Sequence, residues 1–122
     1  DLVLGVAHSL LIQDQFENAI YYYEQLQAKG VQSQEAIVGL AFSYSQTKQY
    51  KKAMLLYKEV VQKSLKKYEK IKHEVDLDPE SIFEEEEHLK EQLLEYWAAA
   101  KKTGNKNDIL EAQATLERAF LN

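Results

Sequence analysis

The chain has no cysteine, one proline and four glycines among its 122 residues. Without cysteine there is no disulfide, no thiolate metal site and no cysteine nucleophile, although this absence does not identify the compartment. So little proline and glycine, with Ala, Leu, Glu, Gln, Lys and Tyr abundant, points to an all-α protein. No apolar run approaches the ~18–20 residues that a membrane-spanning helix needs. No signal peptide is visible either, so membrane insertion is not expected. Positive charge is in deficit: 15 Lys and Arg against 20 Asp and Glu leave a net charge of −5. That balance argues against a nucleic-acid binder, which needs a basic face. The length suits one domain with a modest core. The sequence opens at Asp1, without Met and close to a first helix. A fragment of a longer protein, or a processed one, is the expectation, in a cytoplasmic setting.

What is present is periodic. In the stretch from Ala36 to Val61, apolar or small residues fall at Ile37, Leu40, Ala41 and Tyr44, then at Tyr50, Ala53, Tyr57 and Val60. Steps of three and four trace one face of a helix, so the stretch reads as two amphipathic helices. The polar SQTKQ between them has no apolar register. Ala41 and Ala53 sit at the centres of the two faces, where neighbouring helices can approach closely. An αα-hairpin of this kind buries one face and leaves another apolar.

The same pattern stands upstream. Val3, Val6, Ala7, Leu10, Phe16, Ala19, Tyr23 and Leu26 reach those eight positions when 34 is added to each number. A helix–turn–helix repeat of about 34 residues resembles the tetratricopeptide family. The matching features are a small residue in helix A, an aromatic opening helix B, Ala one turn on, an aromatic, then an aliphatic. The resemblance is strong over residues 1–67 and weak over 93–122. It implies an all-α solenoid of antiparallel helix pairs.

Helix ends are also legible. The first pair is predicted at about Leu2–Ile12 and Gln15–Ala28, with Asp14 as N-cap of the second helix and Gly30 at its left-handed C-terminal position. Ser33 is expected to cap the next helix, which ends near Gln46, and its partner starts near Gln49. The pattern then departs from the family. Helical signal continues through Leu65, Tyr68, Ile71 and Val75 until Asp76-Leu77-Asp78-Pro79. Asp78 is a good N-cap and Pro79 a good first helical residue. A long helix to about Thr103 follows, Gly104-Asn105 ends it, and a last helix is expected from about Asp108 to Leu121.

Tyr96, Ala99, Ala100, Thr103, Ile109, Ala112, Leu116 and Ala119 repeat the pattern of the second pair at an offset of 59. About 25 extra residues therefore separate the second copy from a degenerate third, divided over two elongated helices as a helical hairpin insertion. The expected organisation is repeat one over 1–33, repeat two over 34–67, the hairpin over 68–92 and the degenerate repeat or cap over 93–122. Lys63, Lys66, Lys67, Lys70 and Lys72 lie on the outgoing arm, and Glu80, Glu84, Glu85, Glu86, Glu87 and Glu91 on the returning one. Antiparallel pairing sets basic beside acidic, which selects orientation more than it stabilises, since an exposed ion pair is worth only about 0–1 kcal/mol. The acidic cluster also suits the start of a helix.

Catalytic signals are missing. Glu85 and His88 form a Glu-x-x-His pair, but a di-metal bundle site needs a second such pair and two more glutamates, and Lys70 precedes His73 where a carboxylate would stand. No Ser-His-Asp set, phosphate loop or HExxH motif occurs. Glu84 to Glu87 point in different directions on a helix and cannot flank one substrate. The expectation is a non-enzyme with no cofactor and no metal.

The resemblance also implies a site. Helix A positions that line the concave surface of tetratricopeptide repeats correspond here to Asp1, Leu4, His8 and Leu11, to Glu35, Val38, Phe42 and Ser45, and to Leu94, Trp97, Lys101 and Gly104. Most are apolar. Family members that clamp acidic tails carry Lys, Asn and Arg at such places, and only Lys101 is comparable here. The expected function is a protein–protein interaction module holding a partner segment in an apolar groove. The alternatives are a client chaperone of the secretion type, a self-assembly domain, or a regulatory domain of a larger protein.

Overall fold

The computed structural model describes residues 2–31, 33–73 and 78–120, and among these it contains six helices and no strand. They are α1 (Leu2–Ile12), α2 (Phe16–Ala28), α3 (Gln34–Gln46), α4 (Tyr50–Lys72), α5 (Pro79–Thr103) and α6 (Lys106–Phe120). No helix among the described residues is long and apolar enough to cross a membrane. The chain divides into two compact units, Asp1–Leu56 and Tyr57–Asn122, with the boundary inside α4.

In the first unit α2 packs against both α1 and α3, and α1 also touches α3. Alanines make this close packing possible: Ala7, Ala19, Ala41 and Ala53 are wholly buried. Between them lie Tyr23 and Leu26, each of which contributes about 1.5–3 kcal/mol by leaving water. Of the three successive tyrosines on α2, only Tyr23 faces the core. Tyr21 is exposed, and its ring meets that of Tyr22 at 5.1 Å.

The turns repeat as the side chains do. Asp14 and Lys48, which correspond under the same shift, have φ of 60° and 65°. Gln15 N–H donates to Leu10 C=O at 2.9 Å and Gln49 N–H to Tyr44 C=O at 2.8 Å. Each is the six-residue closure of a helix that ends on a left-handed residue. This corrects the sequence reading of Asp14. It terminates α1 rather than capping α2, whose N-cap is Gln15 with no side-chain cap bond. The expected roles of Gly30, Ser33 and Asp78 hold. Gly30 has φ 78°, Ser33 Oγ accepts from Ala36 N–H at 3.1 Å, and Asp78 accepts from Glu80 N–H ahead of Pro79.

In the second unit the later part of α4 runs antiparallel to α5. Lys67 Nζ lies 3.1 Å from Glu85, and the Tyr68 hydroxyl donates to Glu86 at 2.5 Å. Val61 and Gln62 border Tyr96 at the other end of the pair. Leu65, Tyr68, Leu89, Leu93, Tyr96, Ala99 and Ala100 are buried. The basic and acidic arms therefore meet through Lys67 and Glu85, while Lys63 lies 3.5 Å from Glu59 on its own helix. Val75, Asp76 and Leu77, read as the end of the outgoing arm, lie outside the described residues, as does Leu121.

Helix α5 packs against α6. Gly104, with φ 71°, ends α5. α6 begins at Lys106, two residues before the expected Asp108, because Asn105 serves as a cap: its Oδ1 accepts from Asn107 and Asp108 N–H at 2.9 and 3.2 Å. The left-handed residue thus falls three positions earlier than Lys48 shifted by 59 would place it.

Candidate interaction surface

In the first unit the expected site residues lie on α1 and α3. Leu4, His8 and Leu11 occupy one stripe of α1, all half-buried. Val38, Phe42 and Ser45 occupy one stripe of α3; Val38 and Ser45 are half-buried and Phe42 is 38% exposed. The two stripes are joined where His8 Nε2 comes to 4.0 Å from Glu35 Oε2. Asp1 lies outside the described residues.

Phe42 does not stand alone. Its ring meets Phe16 of α2 edge-on, with centroids 5.8 Å apart, an arrangement worth about 0.5–1.5 kcal/mol beyond area burial. Phe42 is therefore held against Phe16 while part of its ring stays exposed. Ser45 turns its hydroxyl onto Phe42 C=O at 2.8 Å, so its own helix satisfies it and the stripe loses a polar demand.

His8 is anchored inward. Its Nδ1 is hydrogen-bonded to the Tyr23 hydroxyl, and the two rings meet edge-on with centroids 5.5 Å apart. The Tyr23 ring in turn lies on Gly39 of α3: a Cβ placed at Gly39 would come within 2.5 Å of Tyr23 Cζ and Oη. Burial pushes the Tyr23 hydroxyl up to about 12, so it stays protonated as a hydrogen-bonding group. In the sequence His8 falls on the groove stripe and Tyr23 on the repeat core, and Gly39 carries no hydropathic signal. The signal available was that the repeat shift relates identical residues, Gly5 to Gly39 and Ser9 to Ser43.

In the second unit Leu94, Trp97 and Lys101 share a face of α5, at spacings of three and four. Leu94 is 47% exposed and Trp97 half-buried. Lys101 Nζ stands 4.1 Å from the Trp97 ring centroid, a cation–π contact worth roughly 0.5–1 kcal/mol at an exposed site. The Trp97 indole N–H is buried with no acceptor. Gly104 follows at the helix end, as read. No group of three or more His, Cys, Asp or Glu among the described residues could hold a metal. His88 Nε2 is instead 3.0 Å from Gln92 Nε2.

Comparison with models of known families, with curated proteins and with solved structures returned no match.

Proposed function

We propose that the chain is a tetratricopeptide-like, non-catalytic interaction module that holds a partner peptide by apolar anchors on the α1–α3 side of its first unit. The observation that carries this reading is the pair of partly open apolar stripes there, Leu4 and Leu11 on α1 and Val38 and Phe42 on α3, on two helices that touch. A peptide laid along them would remove apolar surface from water at about 25 cal/mol per Å². His8 and Glu35 at the edge would supply polar selectivity.

The repeat reading has independent support. The shift that relates the apolar residues also relates the left-handed turn residues Asp14 and Lys48 and the hydrogen bonds that close both turns. α2 packs between α1 and α3, as helix B of one repeat does between two helices A. Of the eight residues at the offset of 59, Tyr96, Ala99, Ala100 and Ala112 are buried and Thr103, Ile109, Leu116 and Ala119 half-buried. This fits a degenerate third repeat after a hairpin extension, although its turn follows a different pattern.

The test is selection of peptides from a random displayed library on the immobilised chain, followed by titration onto variants. Selected peptides should be rich in apolar residues and should lose about tenfold or more in affinity to Val38→Glu, the loss expected for removing an anchor. Leu110→Glu, on exposed α6, should bind them unchanged. Equal binding to Val38→Glu and wild type, with circular dichroism showing both folded, would refute the proposal.

A further inference from the structure

A second apolar surface lies on the other side of α1. Leu2, Gly5, Val6, Ser9 and Leu10 line a shallow, open depression, with Leu2 89% and Val6 44% exposed. Carried forward by the repeat shift, these five become Ala36, Gly39, Leu40, Ser43 and Tyr44. All five are buried in α3, and with Ala41 they are the whole buried set of that helix. In α1 the only buried residue is Ala7, the counterpart of Ala41. The difference in burial between the two helices is thus the set of residues that lines the depression.

On α3 the cover at the centre of this face is known: the Tyr23 ring of α2 sits on Gly39, where a Cβ would come within 2.5 Å of it. At Gly5 a Cβ would meet nothing within 4 Å. The α1 face has the same floor without the ring. It can also be desolvated without leaving a polar group unmet. Buried Ser43 donates to Gly39 C=O at 2.9 Å, and Ser9, now accepting from Gln13 at 3.0 Å, stands in the same relation to Gly5. α1 carries no Asp, Glu, Lys or Arg between Leu2 and Ile12, so an apolar cover meets no carboxylate or ammonium group of that helix.

From this we infer that the Leu2–Gly5–Val6–Ser9 face of α1 docks an amphipathic helix of a partner protein. That helix carries a small residue and, four positions on, an aromatic one, as Ala19 and Tyr23 do on α2. The docked helix continues the α2–α3 interface by one more step, its aromatic ring resting on Gly5. Gly5 is the specificity-determining residue, because only glycine leaves room for the ring. A second copy of this chain is a poorer occupant: its Tyr23 and Tyr57 are already buried, and α6 offers Leu116 at the matching position.

The probe is a synthetic peptide of residues 15–29, titrated onto the isotope-labelled full chain and followed by amide chemical shifts. Because an isolated helix of this length is marginal in water, saturation is expected at peptide concentrations on the order of 1 mM or below. The expected result is a saturable shift at Gly5, Val6 and Ser9 that weakens about tenfold with a Tyr23→Ala peptide, the loss of a central aromatic anchor. Gly5→Ala in the chain should abolish it while leaving the chain folded. The inference is overturned if these amides do not move, if Gly5→Ala binds as wild type does, or if sedimentation shows the chain already self-associated through this face. Val38→Glu should leave this titration unchanged, which separates a failure here from a failure of the peptide site on α1 and α3.

Discussion

Replacing Gly39 by Ala tests the packing on which the first unit depends. In an open helix the change is favourable by up to about 1 kcal/mol, since Gly is the worse helix former. Here the new methyl would lie 2.5 Å from Tyr23 Cζ and Oη and 3.0 Å from Cε1, against an optimum near 3.5–4.0 Å for carbon contacts. The ring must retreat by roughly 1 Å. It is 1% exposed and its hydroxyl is held by His8, so the retreat is resisted. Overpacking of this kind costs typically 1–3 kcal/mol. The net expectation for Gly39→Ala is a loss of about 1–2 kcal/mol, read as a lower urea midpoint at unchanged m-value. Gly5→Ala makes the same chemical change one repeat earlier, where nothing is in the way, and should be neutral or stabilising by up to about 1 kcal/mol. The two variants should therefore differ by about 1–3 kcal/mol. In a Tyr23→Leu background most of the Gly39→Ala cost should disappear, because the partner is gone. Equal stability of the two alanine variants, or a Gly39→Ala protein more stable than wild type, would refute the reasoning.

Three further outcomes follow from the same structure. Lys48→Gly should stabilise by about 1 kcal/mol, since Lys48 sits at φ 65° without a side chain suited to that conformation; Asp14→Gly should gain less, because Asp tolerates it, and thermal unfolding of the pair checks this. Ser33→Ala removes the cap of α3 and should cost about 1 kcal/mol in urea unfolding. Tyr23, Tyr68 and Tyr96 are all pushed up to about 12, by burial for Tyr23 and Tyr96 and first by the Glu86 hydrogen bond for Tyr68. A raised folded-state pKa gives stability that is complete below pH 10 and lost as pH climbs toward 12. At pH 11 the loss should be on the order of 1 kcal/mol per tyrosine, with tyrosinate absorbance rising as the helices melt; a urea midpoint unchanged between pH 9 and 11 would contradict it.

The helices were legible because their signals agree: apolar residues at three and four, Ser33, Asp78-Pro79 and the two left-handed glycines Gly30 and Gly104 each mark one boundary. Asp14 misled because Asp suits both an N-cap and a left-handed turn. Lys48 at the equivalent place could have decided it, since Lys has no oxygen to cap with. Asn105 was read as the end of α5, whereas its side chain opens α6. The Gly39–Tyr23–His8 stack was hidden for another reason. A glycine on an apolar face has no hydropathy to register, and nothing in a local pattern pairs it with a ring on another helix. For the candidate surface, the sequence showed which residues are apolar and which share a helix face. It could not show that Phe42 is half-committed to Phe16, or that His8 bonds the Tyr23 hydroxyl.

The location of the remaining apolar surface follows from comparing hydrophobicity with burial, helix by helix. α1, LVLGVAHSLLI, is the most apolar of the six and contains no acidic or lysine or arginine side chain, yet only Ala7 is buried in it. α3 has the same register and buries six residues. Propensity does not account for the difference, because both are regular helices ending in the same left-handed turn. The cover does: α3 has Tyr23 of α2 on its Gly39 face, whereas the corresponding face of α1 is open. A helix that exposes Leu2, Val6 and Ile12 while holding Leu4, His8 and Leu11 half-covered carries an unfavourable hydration term at rest. Contact on either side of α1 would remove it, and the two sides accept different shapes: an extended segment between α1 and α3, and a helix with an aromatic ridge over Gly5. That is why Val38→Glu and Gly5→Ala should act on different partners.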